Sequence, residues 1–219
     1  MNHRTLRRLA RPFVFLAILF CFAAPMVAAD GARISYRRVF KSSYPEFIEI
    51  RVSENGSCTY DIRQLDEDPD PKLGEVSAPL RAKIFELAAQ LRNFQGVALD
   101  VRRRIANLGQ KTFRYEGSGQ VHEVSFNYTL DSHANQLMQI FEGLARQQEH
   151  LVKLQRRMKY DRLGVNDALM HLESDLNRRN LPEPHRLLPT LEQIANDPRV
   201  VDIARQRART LAERIRSAS

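Results

Sequence analysis

The sequence predicts an α+β protein. An antiparallel sheet of four to five strands, with helices on one face, is expected over about residues 33–130, followed by an all-helical part of about four helices. Three observations carry this reading. Two hairpin turn signals, Asn55-Gly56 and Gly117-Ser118-Gly119, are each flanked by alternating apolar residues. One helical stripe lies between the two hairpins. After Asp131 the apolar spacing is helical up to the C-terminus.

In chain order, residues 1–29 come first. Met1 to Arg11 holds Arg4, Arg7, Arg8 and Arg11 and no acid, Phe13 to Ala24 is an unbroken apolar run, and Pro25 ends it. Met26-Val27-Ala28-Ala29 then supplies the small residues that a signal peptidase reads. That order is the pattern of a secretory signal peptide. Cleavage is expected after Ala29, so the mature chain starts at Asp30 and is periplasmic or extracellular. The run is shorter than the roughly 20 apolar residues of a membrane span. No span is therefore expected after cleavage, and a retained anchor is the alternative. Arg7-Arg8 is not continued as a twin-arginine signal. Cys21 follows Phe20 rather than a small residue, so no lipid anchor is expected.

The sheet part, residues 30–130, opens with a strand expected near Ile34–Phe40. Ile48, Ile50 and Val52 then alternate on one face, and beyond Asn55-Gly56 so do Cys58, Tyr60 and Ile62. This predicts a hairpin over about residues 45–65. Residues 66–71 read as a polar loop. Ser77 caps a helix that starts near Ala78-Pro79, where proline is tolerated, and carries the stripe Leu80, Ile84, Leu87, Ala88 and Leu91. Residues 95–109 fit neither period. Thr112–Tyr115 and Val121–Tyr128 form the second predicted hairpin.

Asp131 or Ser132 caps a long helix to about Lys159, and Asp161–Gly164 breaks it. Val165, Leu169, Leu172 and Leu176 mark the next helix; Leu188, Leu191 and Ile194 mark a short one. The last carries Val200, Ala204, Ala208, Leu211 and Ile215. From Leu187 the chain reads Leu-Leu-Pro-x-Leu-x-x-Ile-Ala, then Asp197-Pro-x-Val, then Ala204-x-x-x-Ala-x-x-Leu. This resembles one unit of a HEAT-type helical repeat over about 30 residues. Without tandem copies, the resemblance implies no more than a helical hairpin in the region 131–219.

Charge narrows the partners. The chain has 34 basic and 26 acidic residues, a net +8. Residues 1–29 hold four of the basic residues and no acid, so the mature chain has 30 against 26, or +4. That mild excess does not point to nucleic acid. The run Arg102-Arg103-Arg104 reads as a solvated face. Only Cys58 remains after cleavage, so no intramolecular disulfide forms and the fold rests on its core. A disulfide-free exported chain suits a bacterial envelope. Asn55-Gly56-Ser57 and Asn127-Tyr128-Thr129 are glycosylation triplets, relevant only in a eukaryotic secretory pathway.

Motifs for chemistry are sparse. Asp66, Asp68 and Asp70 have the first spacings of a calcium loop, but Pro71 and Ser77 stand where glycine and glutamate are required. His122, His133, His150, His171 and His185 include no zinc-protease spacing. No metal site, nucleophile elbow, phosphate loop or dinucleotide fingerprint is present, so no cofactor and no catalytic residue is assigned. Cys58 reads as an inert buried thiol, and His133, His150, His171 and His185 as surface histidines. His122 shares strand parity with Val124 and Phe126. Aromatic residues on the predicted strands, with polar neighbours, suggest a ligand face made of Tyr60, Lys111, Tyr115, His122 and Tyr128. The expected function is non-catalytic: an exported envelope protein that binds a protein partner or serves a structural role. The alternative is a small hydrolase or ligand-binding enzyme with its site on that sheet face.

Overall fold

The computed structural model describes residues 31–101 and 103–218. The predicted signal segment and its expected cleavage point lie outside the described residues, as does Arg102. The described chain folds as β1 (Arg33–Val39), β2 (Phe47–Ser53), β3 (Ser57–Arg63), β4 (Lys72–Glu75), α1 (Ala78–Gln90), β5 (Gln110–Gly117), β6 (Gln120–Phe126), α2 (Ser132–Tyr160), α3 (Val165–Asn177), α4 (Leu188–Asn196) and α5 (Asp202–Ser217). This is the α+β architecture that periodicity predicts, with a helical C-terminal part.

The sheet has six antiparallel strands in the order β4-β3-β2-β1-β5-β6, where four to five were expected. The added strand, β4, reads Lys-Leu-Gly-Glu and has no alternating pattern of its own. Pairing with β3, in the register Cys58↔Gly74, holds it. β1 takes the centre: Tyr36 faces Ile50 of β2 on one side and Phe113 of β5 on the other. The four strands β1–β4 form a meander, and α1 then carries the chain back so that β5 joins the opposite side of β1.

One face of the sheet is covered. Ile34, Tyr36, Ile48, Ile50, Val52, Cys58, Phe113, Val124 and Phe126 are buried there, against Ile84, Leu87 and Ala88 of α1 and Leu137, Phe141 and Leu144 of α2. Both helix starts are capped as their sequences predict. Ser77 Oγ accepts from the Leu80 N–H at 3.4 Å, and Asp131 Oδ1 from the Ala134 N–H at 2.9 Å.

Past α1, Arg92, Asn93 and Phe94 have φ of 54°, 47° and 67°, a left-handed turn without glycine. Such residues cost about 1 kcal/mol each. Burial of the Phe94 ring, stacked 5.3 Å from Phe113, offsets that strain. Among the described residues of 95–109, which match neither period, no further helix or strand forms before Gln110. Asn127 holds this loop: its Oδ1 accepts from the Leu108 N–H at 2.7 Å and its Nδ2 donates to the Ala106 carbonyl at 2.8 Å. The amide of the second glycosylation triplet is thus already engaged.

A second core lies beyond the first. Leu154 and Met158 of α2 join Val165, Leu169 and Leu172 of α3, Leu191 and Ile194 of α4, and Ala204, Ala208, Leu211 and Ile215 of α5. α2 therefore serves both cores, with residues up to Ala145 facing the sheet and residues from Leu154 facing the helices. α4 and α5 form the expected helical hairpin. Arg216 pairs with Glu192, and Arg209 donates to the Ala195 carbonyl at 3.1 Å, so the helices run back along each other.

The loop before α4 crosses α2 at Gly143. A Cβ built there would lie 2.8 Å from the Asn180 carbonyl oxygen and 2.9 Å from Pro182 Cδ. A backbone carbonyl and a rigid proline ring leave little room to relax. Gly143→Ala is expected to lower stability by about 1–3 kcal/mol through overpacking, although alanine is the better helix former. Urea denaturation of the variant against the parent chain checks this.

Candidate functional site

α2 is longer than the sheet is wide, and its second half leaves a free face beside β3. Glu149, Val152, Lys153, Arg156, Arg157 and Tyr160 share this face by their spacing of three and four. Between it and the end of β3 lies a groove of about 1020 Å³. Tyr60, Ile62 and Val152 supply apolar lining. Glu67, Asp68 and Asp70 line it from the β3–β4 loop, and Lys153, Arg156 and Arg157 from α2. Tyr44, 90% exposed, and Tyr160, 72% exposed, also border it.

The acidic side is held in shape by Arg63. Its guanidinium lies 4.4 Å over the Phe47 ring and donates to the Glu67 carbonyl at 2.8 Å. The Gln64 N–H donates to the Glu67 carboxylate at 2.8 Å. On the basic side Arg157 pairs with Asp161, whereas Lys153 and Arg156 have no ion pair among the described residues. Gly74 makes room for the Tyr60 ring, since a Cβ there would lie 2.8 Å from Tyr60 Cε2.

Of the five residues of the predicted ligand face, Tyr60 alone lines this groove. Three strand spacings, about 14 Å, separate β3 from β5. Tyr115 and His122 are brought together as a cross-strand pair, their rings stacked at 6.1 Å, and His122 Nδ1 is buried without a hydrogen-bond partner. Lys111 is buried at the start of β5. Its Nζ donates to the carbonyls of Leu108 (2.9 Å), Gly109 (3.2 Å) and Asn127 (2.9 Å), which uses all three ammonium protons on backbone. Burial lowers its pKa. Tyr128 lies beyond β6 and is half-buried; its N–H donates to Asp100 Oδ1 at 3.2 Å.

Cys58 points into the core, and burial pushes its thiol up to about 12. A thiolate is the reactive form. A disulfide reagent at pH 8 is therefore expected to leave Cys58 unmodified in the folded chain and to label it fully in strong denaturant. Rapid labelling of the native chain would contradict the buried placement.

His150 corrects the sequence reading, which put it at the surface. It lies on the side of α2 that also carries Gln147 and Leu154, and it is buried against α3. Its Nε2 is 2.9 Å from Asp175 Oδ2, and Asn180 Nδ2 donates to Asp175 Oδ1 at 3.2 Å. The sequence predicts the next helix, α3, but not the side of α2 that it covers. Burial lowers the His150 pKa against the pull of Asp175, so at neutral pH the neutral ring donates to the carboxylate. The Asp175 pKa is itself lowered: burial opposes this, but the His150 and Asn180 hydrogen bonds outweigh it.

The unfolded histidine protonates below about 6.5 while the folded one resists, so stability falls as pH drops below that value. The Asp175 contribution is present above about 3.9 and is lost further down. Denaturation midpoints are expected to fall between pH 7.5 and pH 5. His150→Gln, which keeps a donor but does not titrate, is expected to shrink that fall.

Among the described residues, no group of three or more His, Cys, Asp or Glu side chains is placed to hold a metal ion. No helix among them is long and apolar enough to cross a membrane. The fold and the groove define the class: an α+β protein with an open, mixed-charge groove beside its sheet. The chain matches no protein-family model and no curated protein.

Proposed function

We propose that this chain is an exported, non-catalytic binding protein whose groove between β3 and α2 takes an extended segment of a protein partner. The observation that carries this reading is the groove's make-up. Its apolar lining, with Tyr60 and Val152, is flanked by the acids Glu67, Asp68 and Asp70 with Lys72 beside them, and by Lys153, Arg156 and Arg157 with Glu149 and Asp161 beside them, with exposed Tyr44 and Tyr160 at its border. Exposed aromatics with an apolar centre and a charged rim are the composition of recognition surfaces. Opposed charges favour a segment that brings basic residues to Glu67, Asp68 and Asp70, and acidic residues to Lys153 and Arg156.

A photo-crosslinking residue at position 152 or 160 tests this in cells. It is expected to trap one partner segment, and the trapping is expected to weaken with added salt. Position 203, exposed on α5, serves as the control. Equal products from positions 152, 160 and 203 would sink the proposal. Export is tested separately: the N-terminus of the chain from the extracytoplasmic fraction is expected to be Asp30.

A second reading keeps a small-molecule site at Tyr115 and His122. It is favoured by the unpartnered, buried Nδ1 of His122. Loss of ligand-induced shifts at the His122 ring in Tyr115→Ala would support it.

A further inference from the structure

A separate concavity of about 420 Å³ lies between α2 and α3. Arg146, Lys153, His150, His171 and Arg178 bring cationic or protonatable groups to it, against the two acids Glu149 and Asp175. Asp175 is already committed, since one oxygen meets His150 and the other accepts from Asn180. Lys153 and Arg178 have neither an ion pair nor a side-chain hydrogen bond among the described residues. Elsewhere in the helical part, Arg157, Arg186, Arg199, Arg207, Arg214 and Arg216 each meet a carboxylate. Here Arg146 lies 3.9 Å from Asp175 and donates to the Asn180 carbonyl at 3.4 Å, which leaves Lys153 and Arg178 as the cations that face open space.

We infer that this concavity is an anion site that takes one phosphate group, held by Lys153 and Arg178 with Arg146 and the two histidines beside it. A doubly charged oxyanion suits the set. Its oxygens accept from several cationic donors at once, and a guanidinium can serve two of them. Glu149 keeps the site from being purely basic and disfavours a second anion. The site is distinct from the partner groove in Arg178 and His171, which the groove does not include. The two share Glu149 and Lys153, so the test is placed at Arg178, whose loss leaves the partner groove intact.

Inorganic phosphate, titrated into the mature chain at constant ionic strength, is the probe. Ring resonances of His150 and His171 are followed by NMR. Saturable shifts with one-to-one stoichiometry are expected. Arg178→Ala is expected to weaken binding at least about tenfold, and Arg178→Lys much less, because a point charge remains. Arg178 is exposed at the end of α3, so the variant should fold, and an unchanged denaturation midpoint verifies that. Shifts that stay linear, that chloride reproduces, or that survive in Arg178→Ala would overturn the site. Vesicles containing phosphatidic acid separate two sources of the group. Displacement of bound phosphate by vesicles supports a lipid headgroup, and undisturbed binding supports a free phosphate compound. Vesicle binding without saturable phosphate binding counts against the site.

Discussion

Phe113→Ala is expected to destabilise the chain by about 4 kcal/mol, the largest effect of any single truncation considered. Phe113 sits on β5 at the middle of the covered face and is fully buried. Its ring centroid lies 5.3 Å from both Phe94 and Phe126, 5.6 Å from Tyr36 and 6.5 Å from Phe141. Four elements and the left-handed turn thus meet on one ring. Removing it deletes the transfer free energy and leaves a cavity whose walls are rigid aromatics with little freedom to collapse. The strained turn also loses its main compensation, because the Phe94 ring loses the surface it stacks on. Urea denaturation is expected to show a lower midpoint with an unchanged slope. Thermal unfolding is expected near 10 °C lower, at roughly 2–4 °C per kcal/mol for a chain of this size. Phe113→Leu, which refills much of the volume, is expected to lose less than half as much. Equal losses for the two variants would contradict an aromatic centre.

Glu183→Ala is expected to cost about 3 kcal/mol by a different route. This carboxylate is 1% exposed, yet it belongs to the loop before α4, far in sequence from the elements it touches. Its Oε1 accepts from the Ser77 N–H at 2.6 Å and its Oε2 from Arg186 Nε at 2.8 Å. Its own N–H donates to Gln147 Oε1 at 3.1 Å. Ser77 caps α1, so Glu183 brings negative charge to the positive end of a helix that covers the sheet. One residue from the helical part thereby joins α1, α2 and Arg186. Alanine leaves a partly buried backbone N–H without an acceptor and Arg186 without its counter-charge. Arg186 is partly open to water, which limits the loss. Glu183→Gln keeps an acceptor for Ser77 and is expected to lose about half as much. The slope of the denaturation curve is informative here. A smaller slope in Glu183→Ala would indicate that the helical part loosens before the sheet.

Local patterns carried much of the fold. Asn55-Gly56 and Ser118-Gly119 each close a hairpin, with Gly56 and Gly119 at φ of 94° and 73°. The Ser77 and Asp131 caps accept the hydrogen bonds expected of them. The candidate site was far less legible. Tyr60 and Tyr115 share inward parity, but parity says nothing about distance across a sheet, and two strands stand between them. Lys111, with alternating aromatic neighbours, looked like a ligand contact. Its three backbone carbonyl partners come from a loop and a strand end whose meeting no local pattern encodes.

By itself, then, the sequence determined the class of fold, the two hairpins, the positions of the main helices and the inward placement of Cys58. Each depends on residues within a few positions of one another, where backbone geometry and the period of burial act directly. Only the tertiary structure decided that β1 is central, that four residues without a strand pattern become β4, that His150 is buried, and that α2 outruns the sheet to leave a charged groove. Those features depend on which distant segment supplies the missing hydrogen bonds or covers an apolar stripe. That choice is made by the packing of the whole chain.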